Sequence, residues 1–474
     1  HMKSDSEIIS HGIFPKGAIF FYGLIFISVF FLYYTPRLFS SLWLILLLFF
    51  YYRSKDEVIW LALFLVFSDG FMGFFGIYAV SLSIIPGLPA IELSQFYILL
   101  AFLKVVKKKP NYPIFYSPII SIVGIYVLFL ILIGLFFGLS GELNVYLRVF
   151  KLTFPLLLFY IVPRLLKKEN DYSRFFAFIF PIVILAFITQ LFDIVVGQSF
   201  TSFVGAEQYN KIDIIDGKTY RGFYNLQIVL IGFFGALYYL VKRDGKFNVL
   251  IIYTVVFSSL SMAFLSATRG WMIAFSLILI LYSFFTLRSN PLRLLFFSLI
   301  IAIGFIFGRT IPVVDYQINY AFERLGTVGG MIEGDEEAKK TEMRTTLRGP
   351  RVMSKWNESK LFGWGFSDEF FKFQDGHVGN QNILLHSGLL GYFLFIVFLC
   401  FFLLKLSLQS IFFKVYKENL VFFVFLLGWF FIHSTSGQHF AFYGLPNDII
   451  AKAVFFSFGA FSYNNIRIKI IKQT

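Results

Sequence analysis

The chain has 474 residues, of which 58% are hydrophobic and 21% aromatic, and only 14% are charged. Soluble proteins average about 25% charged residues, so this composition excludes an ordinary soluble domain. Long apolar runs follow one another almost from end to end, which predicts an all-α polytopic membrane protein with a single transmembrane domain over residues 1–474. A β-barrel is excluded because it would show alternating segments of roughly ten residues.

Charge and cysteine content narrow the class further. The net charge is +14, but the Lys and Arg residues lie mostly in short connections between apolar segments. That distribution is typical of membrane topology, so no nucleic-acid partner is expected. The single cysteine, Cys400, lies inside an apolar run, so we expect neither an intramolecular disulfide framework nor a cysteine metal site.

Fourteen apolar segments are candidates for membrane helices, and two of them are shorter than the usual span of about twenty residues. We therefore predict 12–14 transmembrane helices. The segments, in chain order, cover residues 17–34, 38–52, 58–80, 91–104, 114–138, 145–163, 174–196, 222–241, 248–266, 269–287, 294–313, 381–408, 418–433 and 445–464.

Every second connection between these segments is basic, whereas the short intervening connections at residues 81–90, 139–144 and 434–444 contain no Lys or Arg. Basic connections usually face the cytoplasm, so both termini are predicted to be cytoplasmic. The two long loops, residues 197–221 and 314–380, are predicted to face outward. The basic connections lie near residues 53–55, 104–109, 164–174, 242–246, 288–293 and 405–417, and in the tail at 467–472.

The loop over residues 314–380 begins with a helical pattern. Val314, Ile318, Phe322 and Leu325 form an apolar stripe, which predicts a short helix on the outer membrane surface. Residues 326–343 contain a glycine pair and an acidic run, so we predict a flexible, solvated segment. The acidic run lacks histidine and the spacing of a calcium loop, so no metal site is predicted there.

The end of the same loop combines cations with a histidine. Arg344, Arg348 and Arg351 place three guanidinium groups within eight residues. A guanidinium group keeps its charge and matches phosphate oxygens with two parallel hydrogen bonds, so this cluster is predicted to bind a phosphorylated ligand. His377 opens the next apolar helix and can move a proton near neutral pH, which makes it the candidate general base.

Other ionisable residues lie near the predicted outer face. Arg269 stands in a very short outward turn with no other charge, which favours a functional role. For Arg221 and Lys151, a functional role and simple contact with lipid headgroups both remain open. Asp69 and Asp193 are predicted to pair structurally.

The order of these motifs resembles the O-antigen ligase and O-antigen polymerase superfamily, mainly over residues 221–391. Members usually have Asn, Ser or Gln directly after the histidine, where this chain has Val378, with Asn380 two residues further on. The matching arginine of the long loop is Arg344, Arg348 or Arg351. The motifs are Arg221-Gly-Phe-Tyr-Asn225, Arg269-Gly270, Arg344-Thr-Thr-Leu347, Leu361-Phe-Gly-Trp-Gly365, and His377 eleven residues before Gly388-Leu-Leu-Gly391.

The resemblance implies a glycosyltransferase on the periplasmic face of the bacterial inner membrane. Its donor would be an oligosaccharide linked to undecaprenyl pyrophosphate, held by Arg269 and Arg344, and His377 would take the proton of the acceptor hydroxyl. The transfer would be direct and inverting, without a metal ion or other cofactor. The further candidates for contact with pyrophosphate or sugar are Arg221, Arg348, Arg351, Asn380, Lys151, and His433 and His439, which flank another outward turn.

The acceptor separates two activities with the same chemistry. A polymerase extends another lipid-linked repeat unit and implies a chain-length regulator as partner, whereas a ligase transfers the chain to lipid A core. General resemblance to the Phe-rich polymerases favours the polymerase activity. A flippase would place charges along a path through the bundle interior, and a purely structural protein would leave the ordered Arg and His pattern unexplained.

Overall fold

The computed structural model describes residues 15–75, 80–82, 90–206, 213–215, 219–222, 225–287, 291–333, 344–413, 418–437 and 439–473. Across these residues the chain is almost entirely α-helical, with two short antiparallel strand pairs. The predicted all-α class is therefore confirmed. Each of the fourteen predicted apolar segments contains a helix, although the third helix ends early at Asp69, before Gly70 with φ of 110°.

The elements follow one another with short connections. A 3-10 turn over Phe154–Leu157 joins α6 to α7, and π-helical turns cover Ser283–Leu287 and Arg344–Arg348. The strands β1 (Ser81–Leu82) and β2 (Ile91–Glu92) pair with each other, as do β3 (Asp213–Ile215) and β4 (Thr219–Arg221). The helices are α1 (Ala18–Tyr34), α2 (Arg37–Arg53), α3 (Glu57–Asp69), α4 (Leu93–Val105), α5 (Ser117–Phe137), α6 (Leu143–Thr153), α7 (Leu158–Leu165), α8 (Glu169–Val196), α9 (Phe200–Phe203), α10 (Leu226–Lys242), α11 (Val249–Leu265), α12 (Arg269–Tyr282), α13 (Pro291–Arg309), α14 (Pro312–Glu333), α15 (Gly349–Trp356), α16 (Asp368–Phe373), α17 (Gly379–Phe413), α18 (Glu418–Thr435) and α19 (Pro446–Gln473).

Among the described residues, five helical segments are long and apolar enough to cross a membrane, which supports a multi-pass membrane protein. A sixth span is possible if α13 and α14, bent by 117° at their junction, count as one. Several other apolar helices are shorter; α3, for example, has 13 residues. Such a helix is about 20 Å long, less than the hydrocarbon thickness of about 30 Å. The five long segments are Ser117–Phe137, Leu143–Leu165, Glu169–Val196, Gly379–Leu408 and Glu418–Thr435.

Helix α10 lies at the centre of the bundle, and every residue from Gln227 to Leu240 is buried. A helix that is apolar all round belongs in a core. Its glycines let α8 approach closely, because a Cβ at Gly235 would lie 2.2 Å from the ring of Phe176 and one at Gly232 would lie 2.5 Å from Val183. Small residues at this crossing thus set the packing of α8 on α10.

Several basic connections lie together at one end of the bundle, where ion pairs join them. We call this the basic end. Lys104 Nζ lies 2.9 Å from Glu57 Oε1, and Arg174 Nη2 lies 2.8 Å from Asp56 Oδ2. The connections after α2, α4, α7 and α10 therefore meet. Two further contacts join this end: Arg164 donates to the carbonyl of Lys108 at 3.0 Å, and Lys246 Nζ lies 2.8 Å from Glu169 Oε1.

The end of α3 and the starts of α10 and α19 meet at the opposite end of the bundle, which we call the distal end. Asp69 joins three helices there: its carboxylate accepts hydrogen bonds from the backbone N–H of Ile228 at 2.9 Å and from Asn447 Nδ2 at 3.0 Å. Asn225 Nδ2 donates to the Asp69 carbonyl at 3.2 Å. Asp69 therefore has the structural role that the sequence predicts, as does Asp193, which accepts a hydrogen bond from the N–H of Phe200.

Helix α14 contains the predicted apolar stripe, but the stripe packs on the bundle instead of lying on the membrane surface. Val314 and Ile318 are buried against Ile194 and Leu265. Gln317 is fully buried between them and donates to the carbonyls of Tyr220 and Leu265, which anchors the helix. The prediction of a surface helix is wrong in this respect because the stripe has a partner within the fold.

The helix also extends further than predicted. Residues 326–333, predicted to be flexible, continue α14 to Glu333, and residues 334–343 lie outside the described part of the chain. Arg269 holds this last part, because its Nη1 contacts Thr327 Oγ1 at 3.0 Å and Met331 Sδ at 3.8 Å, one helical turn apart. Gly329 and Gly330 therefore do not end the helix.

Candidate functional site

Helix α17 is broken at Gly388, nine residues after its start. Gly388 has φ 62° and ψ −168°, a conformation that is essentially restricted to glycine. Such a break leaves backbone N–H and C=O groups without helical partners, which is costly inside a membrane unless other groups replace them. The replacement comes from residues 361–366, the segment that we call the glycine turn.

The glycine turn inserts its backbone into the break. The N–H groups of Trp364 and Gly365 donate to the carbonyls of Leu385 and His386, both at 2.9 Å. Gly363 has φ 71°, and a Cβ there would lie 2.6 Å from the backbone of His386. This close approach explains the glycines of the motif and fixes the first part of α17 against the long loop.

His377 lies in a tight turn just before α17 and is exposed. Asp375 builds the turn: its Oδ1 accepts a hydrogen bond from the N–H of His377 at 3.0 Å, and its carbonyl accepts one from Val378 at 3.2 Å. Asn382 Oδ1, from the first turns of α17, accepts a hydrogen bond from the Asp375 N–H at 2.9 Å. The backbone that presents His377 is thus fixed at both ends.

Two of the predicted arginines meet the same aspartate. Arg348 Nε lies 3.8 Å and Arg351 Nη2 lies 3.6 Å from Asp375 Oδ2. The two arginines are three residues apart at the start of α15, so they project from one face. Their side chains are 33% and 47% exposed, whereas that of Asp375 is 12% exposed, so the arginines cover the carboxylate. One carboxylate for two guanidinium groups leaves the cluster with one net positive charge.

Arg269 starts α12 at the distal end. The neighbouring Gly270 packs against the end of α18, since a Cβ there would lie 1.7 Å from Ser436 Oγ and 2.7 Å from Thr435 Oγ1. Only a residue without a side chain allows α12 to begin this close to α18. Arg269 is therefore placed beside the turn that follows α18.

The start of α17 contacts the same turn. Asn380 Nδ2 donates to Ser434 Oγ at 2.9 Å, and a Cβ at Gly379 would lie 2.3 Å from the carbonyl oxygen of His433. The turn that holds His377 is also near, because a Cβ at Gly437 would lie 3.5 Å from the Gly376 carbonyl oxygen. A continuous series of contacts thus connects Arg269, residues 433–437, Asn380, the His377 turn, Arg348 and Arg351. Asn380 acts here as a bridge between α17 and α18.

Three other predicted site residues are placed less completely or elsewhere. The side chains of Arg221, at the end of β4, and Arg344, at the start of a π-helical turn, lie outside the described part of the structure. Lys151 lies on α6 with its Nζ 3.7 Å from Glu92 Oε1. The contacts of Lys151 therefore belong to an ion pair between α6 and the start of α4.

The remaining candidate histidines are inside the fold. His433 is fully buried, and its Nδ1 accepts hydrogen bonds from the N–H groups of His439 and Phe440 at 2.9 and 3.1 Å. His439 is 5% exposed, and burial, with Lys452 nearby, lowers its pKa to about 3. A histidine with so low a pKa stays neutral near pH 7 and accepts a proton poorly. We therefore assign both residues to holding the turn between α18 and α19, not to lining an acceptor groove.

Lys452, on α19, also holds the turn between α18 and α19. The sequence did not identify it as a site residue. Its ammonium group is buried and donates to the carbonyl oxygens of His439 and Ala441 and to Asp448 Oδ2. These three acceptors match the three donors of an ammonium group. Buried non-helical backbone needs such partners, and Lys452 provides them.

His386, predicted to be buried and hydrogen-bonded, is fully buried among the rings of Phe366, Phe370 and Tyr443. Neither ring nitrogen has a hydrogen-bond partner among the described residues, so that half of the prediction is not met. Its backbone carbonyl has the larger role, because it receives the N–H of Gly365 from the glycine turn.

Asp375 is the main site residue that the sequence did not reveal. Its position two residues before His377 is itself a signal, since Asp side chains commonly accept hydrogen bonds from the backbone N–H two residues on. Its contact with Arg348 and Arg351 depends on tertiary structure and leaves no trace in the spacing. In the described residues, no group of three or more His, Cys, Asp or Glu side chains is arranged to hold a metal ion.

The chemistry of the site therefore has three parts: guanidinium groups, an exposed imidazole, and a rigid frame that joins them. The guanidinium groups suit an anion with several oxygens. The imidazole suits proton transfer from a hydroxyl group. Comparison of the chain with protein-family models, with curated proteins and with solved structures finds no match in any of the three.

Proposed function

We propose that this protein is a membrane-embedded glycosyltransferase that polymerises repeat units of O-antigen or a related polysaccharide carried on undecaprenyl pyrophosphate. The observation that carries the proposal is the contact series at the distal end that joins the start of α12, at Arg269, through the turn after α18 to Arg348, Arg351 and an exposed His377. A lipid-linked diphosphate presents its charge at the membrane surface, where such a cluster can meet it. The resemblance of the motifs to the O-antigen polymerase and ligase superfamily points to the same chemistry.

The reaction is a single displacement. The oxygen of the acceptor hydroxyl attacks the anomeric carbon of the donor sugar, and the bond between that carbon and the phosphate oxygen breaks. Undecaprenyl pyrophosphate leaves with the electron pair of that bond, and the hydroxyl proton passes to His377. Arginine side chains stabilise the negative charge that develops on the diphosphate, in place of a metal ion. Because the transfer is one displacement at the anomeric carbon, it inverts the configuration of that carbon.

The acceptor is a second lipid-linked repeat unit, which makes the protein a polymerase with a chain-length regulator as partner. Transfer to lipid A core, the ligase reaction, uses the same donor and the same residues. Deletion of the gene followed by gel analysis of lipopolysaccharide separates the two. Retention of a single repeat unit on the core is expected for a polymerase, whereas loss of all O-chain would identify a ligase.

We further propose that the chain spans the bacterial inner membrane 12–14 times, with both termini in the cytoplasm. Grouping of the basic connections at one end of the bundle supports this orientation. The distal end, with the loops over residues 197–221 and 314–380, then faces the periplasm. Donor and acceptor would both reach the site from that side.

The direct test uses the purified protein with synthetic lipid-linked repeat units. His377→Ala should lower kcat by about 100–10,000-fold, the usual contribution of a general base, while the lipid-linked donor still binds. Lys372→Ala, an exposed residue of the same loop, is the matched control and should keep its activity. Substantial turnover by His377→Ala would remove His377 from the mechanism, and loss of transfer without loss of donor binding would support it.

A further inference from the structure

Asp375 touches both halves of the candidate site. Its Oδ2 lies beneath the guanidinium groups of Arg348 and Arg351, and its Oδ1 holds the backbone N–H of His377. The two oxygens of one carboxylate therefore join the anion-binding residues to the turn that carries the base. No other acidic side chain among the described residues has ion-pair contacts with these two arginines.

The contacts of the two oxygens differ in length. The hydrogen bond to His377 N–H is 3.0 Å, an ordinary length, whereas the distances to the arginines are 3.8 and 3.6 Å. Tight charge-assisted bonds are about 2.8 Å long. The turn is thus held firmly, while the arginines are only drawn together by charge and remain able to bind another anion.

We propose that Asp375 is a positioning residue that keeps Arg348 and Arg351 paired and in register with His377, so that the donor diphosphate binds on the exposed side of the two guanidinium groups. This inference rests on the proposed function and names the part of the site that receives the diphosphate. Because the carboxylate and the diphosphate are both anions, Asp375 weakens donor binding. Because it fixes the distance between arginines and base, it also improves the geometry of the bound donor.

These two effects give an unusual kinetic signature. Asp375→Asn keeps an oxygen that accepts the His377 N–H but removes the negative charge. Two unit charges about 5 Å apart in a water-like medium interact strongly enough to change affinity by about fourfold. Asp375→Asn should therefore bind pyrophosphate at least about fourfold more tightly, and its KM for the lipid-linked donor should fall. Its kcat should fall as well, because the arginines lose their fixed place.

Two further variants separate charge from position. Asp375→Glu keeps the charge but is one methylene longer, so its pyrophosphate affinity should stay near that of the wild type while kcat falls. Asp368→Asn removes an exposed carboxylate from the same loop and is the matched control, for which both quantities should change little. A merely structural role for Asp375 would raise KM and lower thermal stability instead.

The experiment measures inorganic pyrophosphate binding by calorimetry on the full chain in detergent, together with kcat and KM for transfer. Tighter binding by Asp375→Asn, with lower kcat and unchanged Asp368→Asn, supports the proposal. Unchanged or weaker binding by Asp375→Asn, while the wild type binds pyrophosphate, overturns it and leaves the proposed function intact. Failure of the wild type and of Asp375→Asn alike to bind pyrophosphate would count against both the inference and the proposed function.

Discussion

Replacement of Gly388 by alanine tests whether the break in α17 holds the site together. An alanine Cβ would lie 2.3 Å from the carbonyl oxygen of Leu361 and 2.6 Å from the N–H nitrogen of Gly363. These are backbone atoms of the glycine turn, so they cannot move aside as the end of a side chain would. The glycine turn must therefore withdraw from the helix, or α17 must change its course.

The cost has two sources. A non-glycine residue at φ 62° and ψ −168° carries strain of about 1–3 kcal/mol. Withdrawal of the turn also weakens backbone hydrogen bonds such as those of Trp364 with Leu385 and of Gly365 with His386, each worth about 0.5–1.5 kcal/mol. We expect a total loss of about 3–5 kcal/mol in the free energy of unfolding.

Thermal unfolding in detergent and transfer activity are the measurements. The Tm should fall by roughly 5 °C, since one kcal/mol shifts the Tm of a domain of 150–250 residues by about 2–4 °C and that of a longer chain by less. Activity should fall further than stability alone explains, because the same turn positions the start of α17 next to His377. Gly329→Ala is the control: it lies in α14 with nothing within 4 Å of the added Cβ, and should be neutral or slightly stabilising. Equal behaviour of the two variants would refute the idea that the break is fixed by backbone contact.

Four other outcomes are expected. Arg269→Lys keeps the charge but loses the planar fork, so it should lose most transfer activity, and near-normal polymer from a well-expressed variant would reduce Arg269 to a simple cation. In a Cys400→Ser background, an impermeant maleimide applied to cells with a permeabilised outer membrane should label Asn357→Cys and leave Lys108→Cys unlabelled; the reverse would invert the topology. Lys452→Met should lower stability by about 3–5 kcal/mol because the Asp448 carboxylate loses its buried partner, and Tm measurements should show partial recovery in the double variant with Asp448→Asn. Hydrogen bonding to Lys355 lowers the pKa of Glu369 from 4.5, so the stabilisation from this pair is complete above about pH 4.5 and is lost as the pH falls through the lowered value. The difference in Tm between wild type and Lys355→Met should therefore shrink on acidification, and a difference that does not change with pH would exclude this ion pair as its source.

Hydropathy predicted where the helices lie, and the distribution of charge predicted which connections lie together. Both patterns are set directly by the requirements of a membrane. Each long apolar run became a helix, and the basic connections meet at one end, as at Lys104 and Glu57. Helix α14 shows the limit of the method. The apolar stripe that includes Val314 and Ile318 predicts a helix but does not identify the surface on which the helix packs. The structure shows that α14 packs on the bundle, where Gln317 is buried and donates to the carbonyls of Tyr220 and Leu265.

The candidate site was predicted in its residue types and only partly in its geometry. Arg348 and Arg351 are three residues apart, so their spacing alone predicts that they lie together, whereas His377 follows much later in the same loop. The role of Asp375 depends on its contact with Arg348 and Arg351 across the tertiary structure. The spacing of residues in the sequence does not predict that contact. Lys452 was missed because it lies in an apolar helix whose pattern gives no sign of the irregular backbone that it holds.

The distribution of buried charge bears on the choice between an enzyme and a transporter. The Asp, Glu and Lys residues that are buried within the described ranges are Asp69, Glu92, Asp193, Lys355 and Lys452. The first three lie at the distal ends of their helices, Lys355 lies in the long loop, and Lys452 is six residues into α19, about 9 Å from its start. A transporter needs polar groups along a path through the bilayer, including its midplane, and intramembrane charges are kept only where they serve such a purpose. Here the buried charges of the described residues lie near the distal end of the bundle, and Lys452 holds the turn between α18 and α19, which is the arrangement expected of a protein that acts at one surface of the membrane.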